Sequence, residues 1–171
     1  DAATLQSIQT RVIQTTFNCV SVEGHTSTND TFLLMASGAV GNSLSAEELQ
    51  EFESVLEEVC LDLAKMIPAD GEGASHVLEI EVSGAGCDHD ARVIAETVAH
   101  SNLVKTCITG NDPNWGRIVS AVGYAGIDID ADHIVLYLLG QKLFEHSEPV
   151  VFDAAQLSSA MRNNREISIQ L

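Results

Sequence analysis

The chain has 171 residues, of which 45% are hydrophobic, and a formal net charge of −17. This length and hydrophobic fraction predict one globular domain over 1–171, with a buried core. Its 25 acidic residues against 8 basic ones would repel phosphate backbones and anionic headgroups, which argues against nucleic-acid and membrane-surface partners. The acidic residues are scattered along the chain instead of forming a tail, so we interpret the charge as a solubility feature.

The cysteines and histidines show no metal-binding pattern. Cys19, Cys60, Cys87 and Cys107 lie far apart and form no CxxC pair, and the six histidines share no HxH or HxxxH spacing. We therefore predict reduced thiols and no metal site. The opening sequence lacks the features of a signal or transit peptide, and no apolar run is long enough to cross a bilayer. These features predict a cytoplasmic protein.

Apolar spacing predicts the elements of the first forty residues. A helix over 3–14 is followed by an alternating strand over 17–22. The polar loop 24–31 then leads into a short apolar helix, FLLMASGA, which Gly38 or Gly41 ends.

A capping box starts the longest predicted helix. Ser45 and Glu48 form the box, and Pro68 ends the helix. The predicted apolar stripe of this helix consists of Leu49, Phe52, Leu56, Val59, Leu63 and Ile67.

Helices and strands alternate after the turn at 70–73. The predicted strands are 78–82, 103–109, 134–139 and 167–171. The predicted helix caps are Asp88, Asp112 (followed by Pro113) and Asp153. This alternation indicates an α/β or α+β layered fold. Because the last strand breaks off within its alternation, we expect a fragment with an unpaired strand edge.

The loop HTSTNDT (25–31) is rich in hydrogen-bonding side chains and precedes the predicted apolar helix. The free N–H groups at a helix start favour negative charge or a polarised carbonyl, which suits acyl chemistry. The alternative is that Thr28, Asn29 and Asp30 only cap that helix. The pattern alone favours capping.

Two further stretches contain candidate binding residues. Glu72 stands between two glycines, a setting that presents its carboxylate to an ammonium group, although a polar turn after a proline-ended helix explains it as well. In DPNWGR (112–117), Trp115 and Arg117 could stack to line a pocket. Equally, Trp115 could anchor a small core.

Three motifs together resemble the β chain of the ornithine acetyltransferase (glutamate N-acetyltransferase, ArgJ) family. They are TSTNDT (26–31), GEG (71–73) and SNLVKTCITGNDPNWGRIVSAVG (101–123), and the similarity extends over essentially all 171 residues. The resemblance implies the DmpA/ArgJ-like fold, an α/β (α+β layered) fold with a mixed sheet and helices packed on it.

The resemblance also implies an activity. In this family a precursor cleaves itself before a threonine to give α and β chains. The new N-terminal threonine takes the acetyl group of N-acetylornithine as an ester and passes it to glutamate. The α chain supplies an oxyanion hole. No cofactor is implied, although some relatives use acetyl-CoA as a co-substrate, and an α2β2 heterotetramer is expected.

The resemblance assigns roles to particular residues. Glu72 matches a substrate-binding glutamate that pairs with the ornithine side of the substrate. Thr28, Asn29 and Asp30 match an active-site loop, which would orient the threonine amine or the substrate. The remaining motif residues Asp112 and Asn114 are expected to be structural.

The family pattern also indicates which part of the protein is present. It places the nucleophilic threonine before Asp1 and a further substrate-binding segment after Leu171. The 171 residues are therefore expected to be the central part of the β chain and to be inactive alone.

Two other interpretations remain open at this stage. A related self-processing amidohydrolase or aminopeptidase would use water as the acceptor in place of glutamate. A non-catalytic module would use its acidic surface to bind a basic partner.

Overall fold

The computed structural model describes residues 1–41 and 43–171. They divide into two compact units, Asp1–Gly71 and Glu72–Leu171. Each unit has its own hydrophobic cluster. Because two compact units can belong to one domain, the single domain over 1–171 stays a prediction. Across the described ranges, no helix is both long and apolar enough to cross a membrane.

The first unit begins with the predicted helix, α1 (Ala2–Thr15). The side chain of Asp1 caps it by accepting a hydrogen bond from Thr4 N at 2.9 Å. At its end the chain enters a 3-10 turn, Phe17–Cys19, so the strand predicted over 17–22 is wrong. The Phe17 ring packs on the α1 cluster and contacts Phe32 at 5.4 Å between centroids, a tertiary contact that overrides the alternating pattern.

The apolar helix predicted from FLLMASGA is also wrong. Residues 31–38 contain no helical turn. The carbonyl of Phe32 accepts a hydrogen bond from the Gln9 side chain at 3.1 Å instead of from an amide four residues on. Gly38 and Gly41 then adopt φ values of +67° and +71°, which turn the chain towards the next helix.

The long helix α2 (Ala46–Ala69) starts with the predicted capping box, which is confirmed. It ends one residue after Pro68. Leu49, Leu56 and Cys60 pack on Ile8 and Val12 of α1. The predicted stripe is only partly right, because the packed face is displaced around the helix, and Val59, Leu63 and Ile67 are exposed.

A bidentate ion pair fastens the two helices together. Arg11 Nε and one terminal nitrogen donate to the two carboxylate oxygens of Glu53, both at 2.6 Å. These hydrogen bonds hold the pKa of the Glu53 carboxyl below its usual 4.5. A carboxyl whose folded-state pKa is depressed stabilises the fold above its unfolded-state pKa. That contribution is lost as the pH falls through the folded-state pKa.

We therefore expect Glu53→Gln to lower the thermal unfolding midpoint at pH 7. The difference from the unsubstituted chain should shrink to nothing as the pH falls through the folded-state pKa of Glu53. Circular dichroism melting curves across this pH range measure the effect. Glu58→Gln, which changes an exposed carboxylate of the same helix, is the matched control. An equal effect of both substitutions at pH 7 would count against the ion pair.

The second unit, 72–171, contains five strands and four helices. The strands are β1 (Val77–Glu81), β2 (Leu136–Leu138), β3 (Gln141–Glu145), β4 (Glu148–Pro149) and β5 (Glu166–Gln170). The helices are α3 (Asp88–His100), α4 (Asn102–Thr109), α5 (Trp115–Gly123) and α6 (Ala154–Asn163). They confirm the predicted fold class, a mixed sheet with helices packed on it.

The last strand lies inside the sheet, whose order is β1-β5-β2-β3-β4. It pairs in parallel with β1, where Ile169 lies opposite Ile80, and antiparallel with β2, where Ile169 lies opposite Leu138. The expected unpaired edge is therefore wrong. Ile167 and Ile169 are fully buried at the centre of this unit's core.

The strand predicted over 103–109 is helix α4. The hydroxyl of Ser101 accepts from Val104 N at 3.4 Å and starts the helix. Val104, Cys107 and Ile108 are buried at spacings of three and four, which puts them on one helical face. A short apolar run has no periodicity that distinguishes a helix from a buried strand, so the sequence pattern misleads here.

The helix caps were predicted to within a few residues. Asp153 caps α6 as predicted, accepting from Gln156 N at 2.9 Å. Cys87, rather than Asp88, occupies the cap position of α3 and makes no side-chain cap bond. Ile94 and Val98 are buried on the inner face of α3.

Candidate functional site

The loop around Thr28 belongs to the first unit and is exposed. Thr28 Oγ1 lies 3.2 Å from Asn29 Oδ1, and Thr31 Oγ1 donates to Asn29 O at 3.4 Å. Because no helix follows the loop, Thr28, Asn29 and Asp30 neither cap one nor present a substrate to its start. Without that helix, neither the capping interpretation nor the argument that a helix start favours acyl chemistry holds. The role in an active-site loop stays a prediction.

Glu72 is the first residue of the second unit and is exposed in a tight turn. Gly73 has a φ of +72°, which a residue with a side chain rarely adopts, so the glycine fixes the turn. Among residues 1–41 and 43–171, the Glu72 carboxylate has no hydrogen-bond or ion-pair partner. It is therefore available to an ammonium group.

The segment after Glu72 is tied to the rest of its unit. One imidazole nitrogen of His76 lies 2.9 Å from Ser75 Oγ, and the other lies 3.2 Å from the carbonyl of Met161 in α6. Val77 N then donates to Arg165 O at 2.8 Å as β1 begins. These bonds fix the start of β1, which Glu72 precedes by five residues.

The NDPN sequence forms the start of α5. Asn114 is the N-cap, because its side-chain oxygen accepts from Arg117 N at 3.2 Å. Its amide nitrogen donates to Asp112 Oδ2 at 3.0 Å. The predicted cap at Asp112 is therefore wrong by two residues, and Asp112 instead holds the true cap in place. These contacts agree with the structural role expected for both residues.

Trp115 is part of the core. Its ring stacks on Phe144 with 5.4 Å between centroids and 22° between the ring planes. The guanidinium of Arg117 instead donates to Leu103 O at 3.2 Å and Thr106 Oγ1 at 3.0 Å. Of the two interpretations left open for DPNWGR, these contacts support the core anchor over a stacked pocket.

The cysteine of this region is not set up as a nucleophile. Cys107 is buried and donates to Val104 O at 3.1 Å. Burial raises the pKa of its thiol above the ordinary value, which keeps it protonated near neutral pH. The described ranges also contain no group of His, Cys, Asp and Glu that could hold a metal ion.

Sequence reasoning missed one polar residue here, Asn111. Its backbone has a φ of 54°, which asparagine tolerates better than most residues. Its side-chain oxygen is buried and has no hydrogen-bond partner in the described part of the chain. The Asn-Asp-Pro order is the signal that could have indicated a left-handed turn residue.

Comparison with known proteins assigns the family. The family model described as the ArgJ family matches residues 1–171. The chain belongs to the ArgJ family. This finding confirms the resemblance stated from the three motifs.

Two relatives of this ArgJ-family chain carry the same name. The arginine biosynthesis bifunctional protein ArgJ of Rhodopirellula baltica is 51% identical over 160 residues, which cover 91% of this chain and 39% of that protein. The protein of the same name from Lactococcus lactis is 45% identical over 166 residues, covering 95% and 42%. The chain thus spans about two fifths of the length of these relatives.

A solved structure confirms the fold. The crystal structure of the arginine biosynthesis bifunctional protein argJ from Bacillus halodurans matches with a TM-score of 0.93 and 38% identity. The match covers 100% of this chain and 83% of that chain. The second unit's mixed sheet with its helices is therefore an ArgJ fold.

The cap of α5 gives a stability prediction for this ArgJ-family chain. Asn114→Ala removes the acceptor for Arg117 N and should lower the free energy of unfolding by about 1 kcal/mol. Urea denaturation measures the loss. Asn163→Ala, at an exposed asparagine in the last turn of α6, is the control and should change stability by less than about 0.5 kcal/mol. Equal values for both would contradict the cap assignment.

Proposed function

We propose that this chain is the central part of the β chain of an N-acetyltransferase in arginine biosynthesis. The enzyme moves the acetyl group of N-acetyl-L-ornithine to L-glutamate through an acetyl-threonine intermediate, in the cytoplasm. The observation that supports this most is the ArgJ family match over all of 1–171, together with relatives named for arginine biosynthesis.

The proposed reaction has two balanced steps. A threonine hydroxyl outside these 171 residues attacks the acetyl carbonyl, a C–O bond forms, the amide C–N bond breaks, and ornithine leaves with the proton. The amine of glutamate then attacks the ester carbonyl, a C–N bond forms, the ester C–O bond breaks, and the threonine oxygen takes up the proton that the amine loses. The α-amino group of an N-terminal threonine has a pKa near neutrality, so it is a suitable base for both transfers.

Glu72 is the substrate-binding residue in this proposal. Its carboxylate is exposed, unpaired within the described ranges, and carried on a glycine turn five residues before β1. These properties suit an ion pair with the free ammonium group of N-acetylornithine. The side chains of Thr28, Asn29 and Asp30 are proposed to orient the threonine amine or the substrate.

The proposed partner is the α chain of the same precursor, in an α2β2 heterotetramer. The match covers 83% of the solved Bacillus halodurans chain but 39% of the Rhodopirellula baltica protein, a ratio of about two. This ratio supports a family protein that exists as two chains of similar length. No cofactor is required, and acetyl-CoA is proposed as a second acetyl donor of a bifunctional enzyme.

An assay on the full-length protein tests the reaction. Incubation with acetyl-labelled N-acetylornithine and glutamate should give labelled acetylglutamate in step with ornithine. Labelled acetate without acetylglutamate would instead identify an amidohydrolase and overturn the transfer. Release of neither product would favour the non-catalytic module.

A further inference from the structure

Helix α2 has a second apolar face, which we call the α2 stripe. It consists of Phe52, Val55, Val59, Leu63 and Met66, separated by three, four, four and three residues. This spacing puts all five side chains on one side of a helix, over about 21 Å of its length. All five are exposed, with Met66 at 63% and Val59 at 51%.

The α2 stripe is distinct from the face that packs on α1. Leu49, Leu56 and Cys60 fill the cluster with α1 and point to a neighbouring sector of the helix. A row of exposed apolar side chains of this length is uncommon on a complete soluble protein and typically marks an interface. Within residues 1–41 and 43–171, the α2 stripe is therefore exposed although it has the composition of an interface.

Charge distinguishes between possible partners. Glu51, Glu58 and Asp62 are exposed, and each lies three or four residues from Val55 or Met66, so they form an acidic row along one edge of the stripe. A second copy of this chain would bring another acidic row and another net charge of −17 to the contact. A partner with basic residues beside its apolar ones fits this surface better.

We propose that the α2 stripe is the docking surface for the part of the ArgJ protein outside these 171 residues. That part accounts for most of the length of the relatives, of which this chain covers 39% and 42%. It contacts the stripe with apolar side chains and places lysine or arginine opposite Glu51, Glu58 and Asp62. The interface does not depend on acetyl transfer, so an inactive full-length protein would still form it.

Crosslinking from the stripe identifies what covers it. The photoreactive residue benzoylphenylalanine is introduced at Val59 in the full-length protein, and at Leu61, a 40% exposed apolar residue on another side of α2, as the matched control. Val59 is expected to crosslink to a peptide outside the 171 residues, and Leu61 is not expected to crosslink to that peptide. Crosslinks from Val59 to residues 72–171, to a second copy, or to the same peptide from both positions would overturn the proposal.

Oxidation of Met66 tests the same surface without any substitution. Dilute peroxide oxidises exposed methionine, and Met66 in the folded full-length protein should react at least about tenfold more slowly than in urea if the stripe is covered. The protection should not depend on protein concentration. A rate within about twofold of the unfolded rate, or protection that appears only as the concentration rises, would overturn the proposed occupant.

Discussion

Glu72→Gln in the full-length enzyme is expected to lower kcat/KM for N-acetylornithine by about thirtyfold or more. The substitution keeps the size of the side chain but removes the charge that the proposed ammonium partner needs. Once the bound substrate covers the pair and excludes water from it, loss of one member costs about 2 kcal/mol or more, and about 1.4 kcal/mol corresponds to a factor of ten. Steady-state kinetics with varied N-acetylornithine measure the effect.

The same turn provides a matched control for Glu72. Asp70→Asn removes one negative charge two residues away, from another exposed carboxylate. If Glu72 binds the substrate directly, Asp70→Asn should have a much smaller effect on kcat/KM. Equal effects would point to the general field of this acidic protein, and unchanged kinetics of Glu72→Gln would reject the assignment.

The largest expected stability effect is at the centre of the sheet. Ile169 is fully buried in β5, between β1 and β2. Ile169→Ala removes three buried carbon atoms and leaves a cavity that the paired strands on both sides hold open, so a loss of about 2–5 kcal/mol in unfolding free energy is expected. That loss is a large part of the 5–15 kcal/mol by which most domains are stable.

Chemical denaturation followed by circular dichroism measures this loss. The neighbouring substitution Ser168→Ala changes a half-buried side chain on the opposite side of the same strand. It should alter stability by less than about 0.5 kcal/mol. Similar losses for the two substitutions would mean that Ile169 is not at the centre of the core.

Features that depend on local chemistry were predicted well from the sequence. The capping box at Ser45, the cap at Asp153 and the alternation of 167–171 each identify an element from a few neighbouring residues. The same holds for the glycines on either side of Glu72, which mark the turn. The family resemblance supplied what spacing could not, the proposed role of that carboxylate.

Features set by distant contacts were not predictable. Phe17 and Phe32 contact each other across the first unit, and that contact replaces both the predicted strand and the predicted apolar helix. The β3–β4 turn was missed because His146 and Ser147 adopt positive φ, where glycine or asparagine is the usual signal. The β2–β3 turn carries that signal at Gly140 but not at Leu139, which also has a positive φ. Helix α4 was mistaken for a strand because its apolar run is short.

The proposed site residues also divide into those that local sequence predicts and those that depend on distant contacts. Without the helix after residue 31, the physical argument for Thr28, Asn29 and Asp30 is lost, and the resemblance alone supports their role. The opposite holds for Glu72, whose exposure and turn geometry agree with the role that the family implies. Glu72 is therefore the better residue for a first experiment.

The mass spectrum of the intact full-length protein tests the central claim most directly. It should show two chains produced by cleavage before a threonine upstream of Asp1. N-acetylornithine without glutamate should add the mass of one acetyl group to the chain that contains these 171 residues, and glutamate should remove it. A single uncleaved chain that never gains an acetyl group would contradict the account.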